Sequence, residues 1–409
     1  MNPRLIALDI LAKLENNYSN SAILLSEGLS GVADARDRNL ITDLVLGILR
    51  WRAKLLYWIE EYSSRKIGRI DLKIRIILQI GIYQLVLQQA SAHAAISESV
   101  DLCRKVKLSS AASFVNGILR QIQREAPELR EPEEPFLTWS HPEWLARRWE
   151  DRFGREEAEI LMQTNNTPPP VFLRVNELIA TSQEVREHLR AENVEVKTTN
   201  FGAGVLEVLK GPAQRTTSFE KGEFYIQDAA METLGKMIDR SSGGRVLEIA
   251  AAPGGKTLQL AMTLKDGFIA SLDSDIKRMR MWMENITRLG IRFAFPVVAD
   301  ARSLPFRESF DQVVIDAPCS SLGVIRRHPE IKWWRKPEHL AGIHALQKAI
   351  IRAAMRVLRP GGSLIYSVCS FEPEETSQVT HEFSPQDEIF LYPHKSGTDG
   401  FYFCKLRKT

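Results

Sequence analysis

From Arg4 to about residue 124 apolar positions return every third or fourth residue, as in Ala7, Leu8, Leu11 and Leu14, with few prolines and no alternation of period two. That spacing puts the apolar side chains on one face of a helix, so the stretch is predicted to be a helical bundle. The pattern stops at "REAPELREPEEPF", where proline and acid concentrate and a helix cannot continue. Beyond it, "HPEWLARRWEDRFGREEAEILMQTNNTPPP" reads as helices ending in a proline block, followed by "VFLRVN" as a strand. A helix over 181–192 and short strands at "VEVKTT" and "GEFYIQD" complete a small α+β section. From residue 244 the texture changes to β-rich apolar runs, "GRVLEIA", "GFIASLD", "AFPVVAD", "FDQVVID" and "GGSLIYSVC", separated by helical segments. Such alternation predicts a mostly parallel sheet with helices on both faces.

The expected division is therefore a helical domain over 1–130, an α+β subdomain over 137–235 and an α/β core over 236–409. A chain of 409 residues is too long for one ordinary core, which agrees with several domains. Its 44% hydrophobic and 26% charged content is that of a soluble globular protein. The most apolar stretch, "IILQIGIYQLVLQQ", is interrupted by Gln79, Gln84 and Gln88 and is too short to span a bilayer. With no signal peptide in "MNPRLIALDI", a cytoplasmic location, no membrane partner and a monomer are expected.

Charge is unevenly divided. Residues 1–124 hold 17 Lys/Arg against 11 Asp/Glu, while the remainder holds 37 against 40. The stretch 50–75 has eight basic residues, Arg50, Arg52, Lys54, Arg65, Lys66, Arg69, Lys73 and Arg75, and three acidic ones. A polyanion partner and a merely solvated helix face both fit this pattern. The four cysteines, Cys103, Cys319, Cys369 and Cys404, include no C-x-x-C pair, which argues against a zinc site and a disulfide framework. No metal is expected, and Cys103 and Cys404 read as small buried hydrophobes.

The first β-rich run enters "LEIAAAPGGKT", a turn of small residues leading into a helix near Thr257. Small side chains let the backbone approach a ligand at the carboxyl end of a strand, where open α/β sheets bind. An ATP-binding P-loop would fit Gly255, Lys256 and Thr257, but its first glycine falls on Ala250. The nicotinamide fingerprint G-x-G-x-x-G is absent. S-adenosylmethionine requires an acid after the second strand for the ribose hydroxyls and a polar residue after the third for the adenine, and Asp273 and Asp300 occupy those places.

After the fourth and fifth strands come "DAPCSSLGVIRRHPEIKWW" and "YSVCSFEPEE", so Cys319 and Cys369 are expected to converge on the crevice that holds the methyl donor. Cytosine C5 is too poor a nucleophile to take a methyl group directly, whereas a thiolate adding at C6 makes C5 enamine-like. A second polar group beside the adduct then helps remove the C5 proton and expel the sulfur. Asp316, when protonated, could donate to cytosine N3, and otherwise reads as a loop-capping aspartate.

These motifs, with the closing "DGFYFCKLRK", resemble the bacterial RNA cytosine-5 methyltransferases of the Sun/Fmu type that act on 16S ribosomal RNA. The likeness extends upstream through "PPPVFLRVN" and "FYIQDAA". In the first 124 residues, "DRNLITDLVLGILR", "AAISESVDLCRK" and "SFVNGILR" resemble the RNA-binding antitermination factor NusB. The resemblance implies an all-α NusB-like domain, a small α+β subdomain and a Rossmann-like, S-adenosylmethionine-dependent methyltransferase core. It implies that Cys369 is the nucleophile and Cys319 assists product release. DNA cytosine methyltransferases instead use the Pro-Cys cysteine, the analogue of Cys319. It further implies a donor site lined by Ala250, Ala251, Ala252, Pro253, Gly254, Gly255, Lys256, Asp273, Asp300 and Asp316, with Lys256 reaching toward the substrate. Departures from the usual pattern are Glu248 and Ala250 for Asp and Cys, "CSSLG" for Cys-Ser-Gly-Thr-Gly, and no Glu-Asn after the second cysteine.

In "RRHPEIKWW", Arg326, Arg327 and His328 are candidate RNA-binding residues, while Trp333 and Trp334 suit either base stacking or a core. His328 reads as a general base or a structural histidine. The expected partner is 16S ribosomal RNA; the other readings are the same chemistry on transfer RNA, and a ribosome-assembly factor without activity.

Overall fold

The periodic apolar positions of the N-terminal third form the helices Pro3–Asn16, Ser21–Leu29, Ala35–Ser63, Leu72–Ile82, Ala92–Lys105 and Ala112–Glu125 in the computed structural model, which describes residues 2–16, 20–240, 244–264, 266–307 and 309–409. Their starts are set by side chains that take up orphan amides: Asn20 accepts from Ala22 and Ile23, Asp34 from Arg36, and Asp71 from Lys73 and Ile74. Ala7, Leu8, Leu11 and Leu14 are all buried, and they pack with Leu44, Ile48, Trp58, Ile77, Leu102 and Leu119. The proline-acid stretch does break the helical run. A single 3₁₀ turn, Ala126–Glu128, follows the helix ending at Glu125, and the passage is then held by Trp58 Nε1 donating to the Arg130 carbonyl.

The chain divides into two compact units, 1–168 with 325–335, and 169–324 with 336–409. The first unit thus includes the short helix Pro135–Thr138 and also the helices Glu143–Phe153 and Arg155–Asn165, the latter two of which the sequence reading groups with the α+β section. A hydrogen bond from the Ala53 amide to Ser140 Oγ ties them to the long helix Ala35–Ser63. The first unit also takes back residues 325–335, which continue the motif that carries Cys319. Within it Ser21 donates its amide and hydroxyl to Glu330 at 3.0 and 2.9 Å, Lys332 Nζ donates to the Arg50 carbonyl and Asn166, and Trp333 Nε1 donates to the Leu49 carbonyl.

The second unit holds two sheets. The smaller consists of β1 (Val171–Val175), β2 (Glu195–Thr198), β3 (Val205–Lys210) and β4 (Phe224–Ile226), antiparallel in the order β2-β3-β1-β4. Helix Ser182–Ala191 starts in a capping box between Thr181 and Glu184. Its buried Val185 and Leu189 pack with Leu173, Val175, Leu206 and Phe224.

The larger sheet contains β5 (Arg245–Ile249), β6 (Phe268–Asp273), β7 (Ala294–Val298), β8 (Phe310–Asp316), β9 (Leu358–Val368), β10 (Asp387–Leu391) and β11 (Phe401–Arg407). Its order is β10-β11-β9-β8-β5-β6-β7, with β11 antiparallel to both of its neighbours and the five strands from β9 to β7 parallel. Successive residues of the central strands enter opposite cores. Val246, Val314 and Ile365 face one, and Leu247, Val313, Leu364 and Tyr366 face the other. Both faces of the sheet are therefore covered, as the apolar runs predict. Among the described residues no helix is long and apolar enough to cross a membrane.

Candidate active site

The order β8-β5-β6 reverses direction at β5, and a doubly wound sheet opens a crevice beside the carboxyl ends of its strands at such a point. The loop after β5 turns immediately: Ala250 adopts φ +59° and Gly254 φ +114°, before the helix Gly255–Leu264 begins. Left-handed backbone is tolerated by a methyl side chain at modest cost and freely by glycine. The Ala251 amide donates to the Leu272 carbonyl, Arg278 Nη2 to the Ala252 carbonyl at 2.7 Å, and Asn285 Nδ2 to the Pro253 carbonyl at 2.9 Å. The loop is thereby fixed against β6 and the helix Ile276–Arg288.

A cavity of about 430 Å³ opens above it, lined by Ala250, Asp273, Ser274, Arg278, Asp300, Arg302 and Pro318 with an apolar wall that includes Ile249, Leu272, Leu346 and Ile350. That size and mixture suit a small organic cofactor. Asp273 is 2% exposed, and its Oδ1 accepts from the Asp275 amide while Oδ2 lies 3.6 Å from Arg278. Asp300 is gripped by Arg302 at 2.5–3.0 Å, and that guanidinium holds its carboxyl down to about 2. Two carboxylates at the rim of an apolar slot are the acceptor set that a nucleoside with hydroxyls and an exocyclic amine requires, so the cavity fits the expected donor. Ala250, Asp273 and Asp300 line it directly. Ala251 and Ala252 instead turn into the core beneath. A side chain at Gly255 would meet Tyr225 at 2.8 Å, so this glycine serves packing. Lys256 and Asp316 pair with each other, Nζ to Oδ2, at 2.5 Å.

Below the loop, Glu248 is buried and accepts from Thr257 and Ser271 hydroxyls at 2.7 and 2.8 Å. Burial pushes its carboxyl up to about 7. Trp282 Nε1 extends the chain by donating to Thr257 Oγ1.

The register of the two central strands explains the meeting of the cysteines. Asp316 pairs with Ser367 across β8 and β9, and the Ala317 amide donates to the Ser367 carbonyl, so the two strands run out side by side. Three residues beyond Asp316 and two beyond Ser367, Cys319 Sγ and Cys369 Sγ lie 3.1 Å apart, both as free thiols. The bond to Cys369, burial, and the charges of Glu375 and Asp316 together push the Cys319 thiol well above its ordinary value. Ser321, at φ +63°, turns the first loop away. Gly323 then donates to the Cys369 carbonyl, and a side chain there would strike the Gly400 carbonyl at 2.1 Å. Cys103 and Cys404 are fully buried elsewhere.

The candidate RNA residues are placed differently. Arg326 donates to the Thr167 and Pro168 carbonyls and His328 lies 3.7 Å from Glu330, while Trp333 belongs to the helical core. Arg327 is half-buried. Sequence reasoning missed Arg278, which braces the loop and Asp273. It also missed Glu375, a buried carboxylate that accepts from Ser320 and Ser370. The only cue for Glu375 was its place in the acidic "EPEE" after the second cysteine.

Comparison with known proteins finds three families matching along the chain. The family described as 16S rRNA methyltransferase RsmB/F matches residues 236–388, the NusB family matches 1–124, and the ferredoxin-like domain of the RsmF/B-like methyltransferases matches 141–213. A probable ribosomal RNA small subunit methyltransferase B of Bacillus subtilis is 33% identical, with 98% of each chain covered. The crystal structure of PH0851 superposes with a TM-score of 0.83 at 26% identity over 100% of this chain and 99% of that one. That of NSun6 from Pyrococcus horikoshii with SFG has a TM-score of 0.59 at 24% identity, over 65% and 98% of the two chains, a likeness of fold.

Proposed function

Because this chain belongs to the family of 16S rRNA methyltransferases RsmB/F, and is by that membership an S-adenosylmethionine-dependent rRNA methyltransferase, we propose that it methylates C5 of a cytosine in 16S ribosomal RNA through a covalent bond between Cys369 and C6. The observation that carries this reading is the pair of sulfurs 3.1 Å apart at the ends of two adjacent parallel strands, next to a cavity of cofactor size.

S-adenosylmethionine supplies an electrophilic methyl group on a sulfonium. Asp273 and Asp300, which line the cavity, would accept hydrogen bonds from its sugar and base, and Ile249, Leu272 and Ile350 would exclude water from its rings. The Cys369 thiolate adds to cytosine C6, the ring electrons move toward N3 and O2, and C5 becomes the nucleophile. Asp316, as the partner of an ammonium, is an acceptor in the resting site, and Lys256 Nζ is the proton-bearing group within reach of it. The proton needed at N3 therefore comes through this pair. After transfer the Cys319 thiol gives its proton to the departing Cys369 sulfur, 3.1 Å away, and the thiolate so formed takes the C5 proton as the C5–C6 double bond reforms. Cys319, kept a thiol by its bond to Cys369, by burial and by the carboxylates around it, is suited to proton handling in that elimination rather than to attack.

The test is bisulfite sequencing of 16S rRNA transcript treated with donor and either the wild-type protein or Cys369→Ala. One protected cytosine that appears only with wild type supports the reading; methylation at a ring nitrogen or a ribose would overturn it.

A further inference from the structure

Each of the two cysteines is followed by a serine, and the two serines do the same things. Ser320 Oγ accepts from the Leu322 amide at 3.3 Å, and Ser370 Oγ accepts from the Glu372 amide at 3.2 Å, so each closes a turn over the two residues that follow. Both hydroxyls then donate to one atom, Glu375 Oε2, at 2.5 and 2.6 Å. The other oxygen, Oε1, accepts from the Ser320 amide at 2.5 Å and faces Gln347 Nε2, which also donates to the Pro318 carbonyl at 2.9 Å.

Glu375 is 0% exposed. Its own carbonyl accepts from the Tyr366 hydroxyl at 2.9 Å, so β9 holds the residue that holds the serines. Burying a carboxylate is costly unless its lone pairs are filled, and here three of the four donors come from the two loops that carry the sulfurs. A simple structural carboxylate would have no reason to draw its donors symmetrically from the residue after each cysteine.

We propose that Glu375 is a positioning residue that sets the distance and orientation of Cys319 and Cys369, acting through Ser320 and Ser370. The inference rests on the reading of the two cysteines given above. Attack at C6 and the later elimination need two sulfurs at one base, and a shift of either loop by an ångström separates them. The carboxylate has a second effect: its charge adds to the bond with Cys369 and to burial in opposing ionisation of Cys319.

The test uses Glu375→Gln, whose amide offers one acceptor oxygen where four donors converge, together with Ser320→Ala and Ser370→Ala. Two rates are measured on the full chain: methyl transfer to RNA, and closure of the Cys319–Cys369 disulfide by the azo oxidant diamide, which takes up the two electrons and two protons released. Glu375→Gln is expected to slow both at least tenfold, with affinities for donor and RNA within about twofold of wild type. Each serine variant is expected to slow both as well, and to add less on top of Glu375→Gln than it costs alone.

Wild-type rates in Glu375→Gln would overturn the proposal. So would unaffected serine variants if Glu375→Gln fails to fold. If the wild-type protein transfers no methyl group, the functional reading fails, and the closure rates still decide the role of Glu375.

Discussion

Lys256, in the first turn of the helix after the cofactor loop, donates to Asp316, the last residue of β8, across 2.5 Å. This pair links the helix that follows the Ala250–Gly254 loop to the end of β8, three residues before Cys319. Both groups are partly shielded from solvent, at 16% and 32% exposure, so the interaction exceeds an ordinary surface ion pair without being a buried one.

If the pair delivers the proton to cytosine N3, Lys256→Met should lower kcat for methyl transfer by ~10²-fold, within the range for loss of a positioned acid. Donor affinity should change far less. Tritium transfer from labelled donor into RNA, with calorimetry for binding, separates the two. Equal losses in both would make Lys256 a cofactor ligand alone.

Asp273 should carry much of the donor affinity. A buried carboxylate that accepts from two hydroxyls contributes about 1.5–3 kcal/mol per bond. Asp273→Ala should therefore weaken donor binding by roughly tenfold or more, read by calorimetry. The competing effect is release of Arg278, which now lies 3.6 Å from the carboxylate. Asp273→Asn, which keeps the shape, should show nearly the same loss if hydrogen bonding to the ligand is the cause. An affinity unchanged in both variants would remove Asp273 from the site.

Glu248 makes stability depend on pH with a definite sign. Its carboxyl ionises near 4.5 in the unfolded chain and at about 7 when folded. Between those values the folded state carries the extra proton, so this contribution is fully present below pH 4.5 and is lost as pH rises to 7. The size is on the order of 3 kcal/mol. Glu248→Gln cannot titrate. Relative to wild type it should gain by about that amount between pH 4.5 and 7, and show no further change above 7. Urea unfolding at a series of pH values measures the difference, and a flat difference would show that the Glu248 carboxyl is not shifted by burial.

The features legible in the sequence are those whose cause is local or topological. Leu8, Leu11 and Leu14 announce their helix because a 3.6-residue period is written in neighbouring positions. Cys319 and Cys369 announce their meeting because parallel strands all end on one side of the sheet. What could not be read depends on partners far along the chain. Lys332, 0% exposed, meets the Arg50 carbonyl 282 residues away, and nothing in "RRHPEIKWW" distinguishes such a lysine from a phosphate contact. Glu375 is intelligible only once Ser320, 55 residues earlier, is known to lie against it. Of the eight basic residues in 50–75, Arg50 is buried, and Arg52, Lys54 and Arg75 are in ion pairs with Glu15 or Glu131. Periodicity marks a polar position without showing which of these fates it meets.

That sorting sharpens the test of RNA binding. Arg65, Lys66, Arg69 and Lys73 remain exposed within nine positions, where they join the helices Ala35–Ser63 and Leu72–Ile82. Replacing all four by glutamine should reduce the logarithmic salt dependence of RNA binding by roughly 0.7 for each phosphate no longer neutralised, with donor affinity unchanged. These substitutions are cleaner than deleting residues 1–124, because Ser21, Leu49 and Arg50 hold the segment 325–335 that runs on from the cysteine motif. An unchanged slope would assign these four side chains to solvation.

The two cysteines should fail in different ways, which a packing role for both would not produce. Without the Cys369 sulfur no bond to C6 forms, so Cys369→Ala should bind RNA and donor yet transfer no methyl group. Without Cys319, attack and transfer proceed but the elimination lacks its proton-handling thiol, so Cys319→Ala should accumulate protein covalently joined to RNA. Cys369 keeps its sulfur when its neighbour 3.1 Å away is removed, so the first methyl transfer should persist while release of the product does not. A denaturing gel of each variant with RNA and donor reads the adduct directly. An adduct with Cys369→Ala and none with Cys319→Ala would exchange the two roles. Adducts with neither, alongside full turnover by wild type, would mean that the bond to C6 is not part of the reaction.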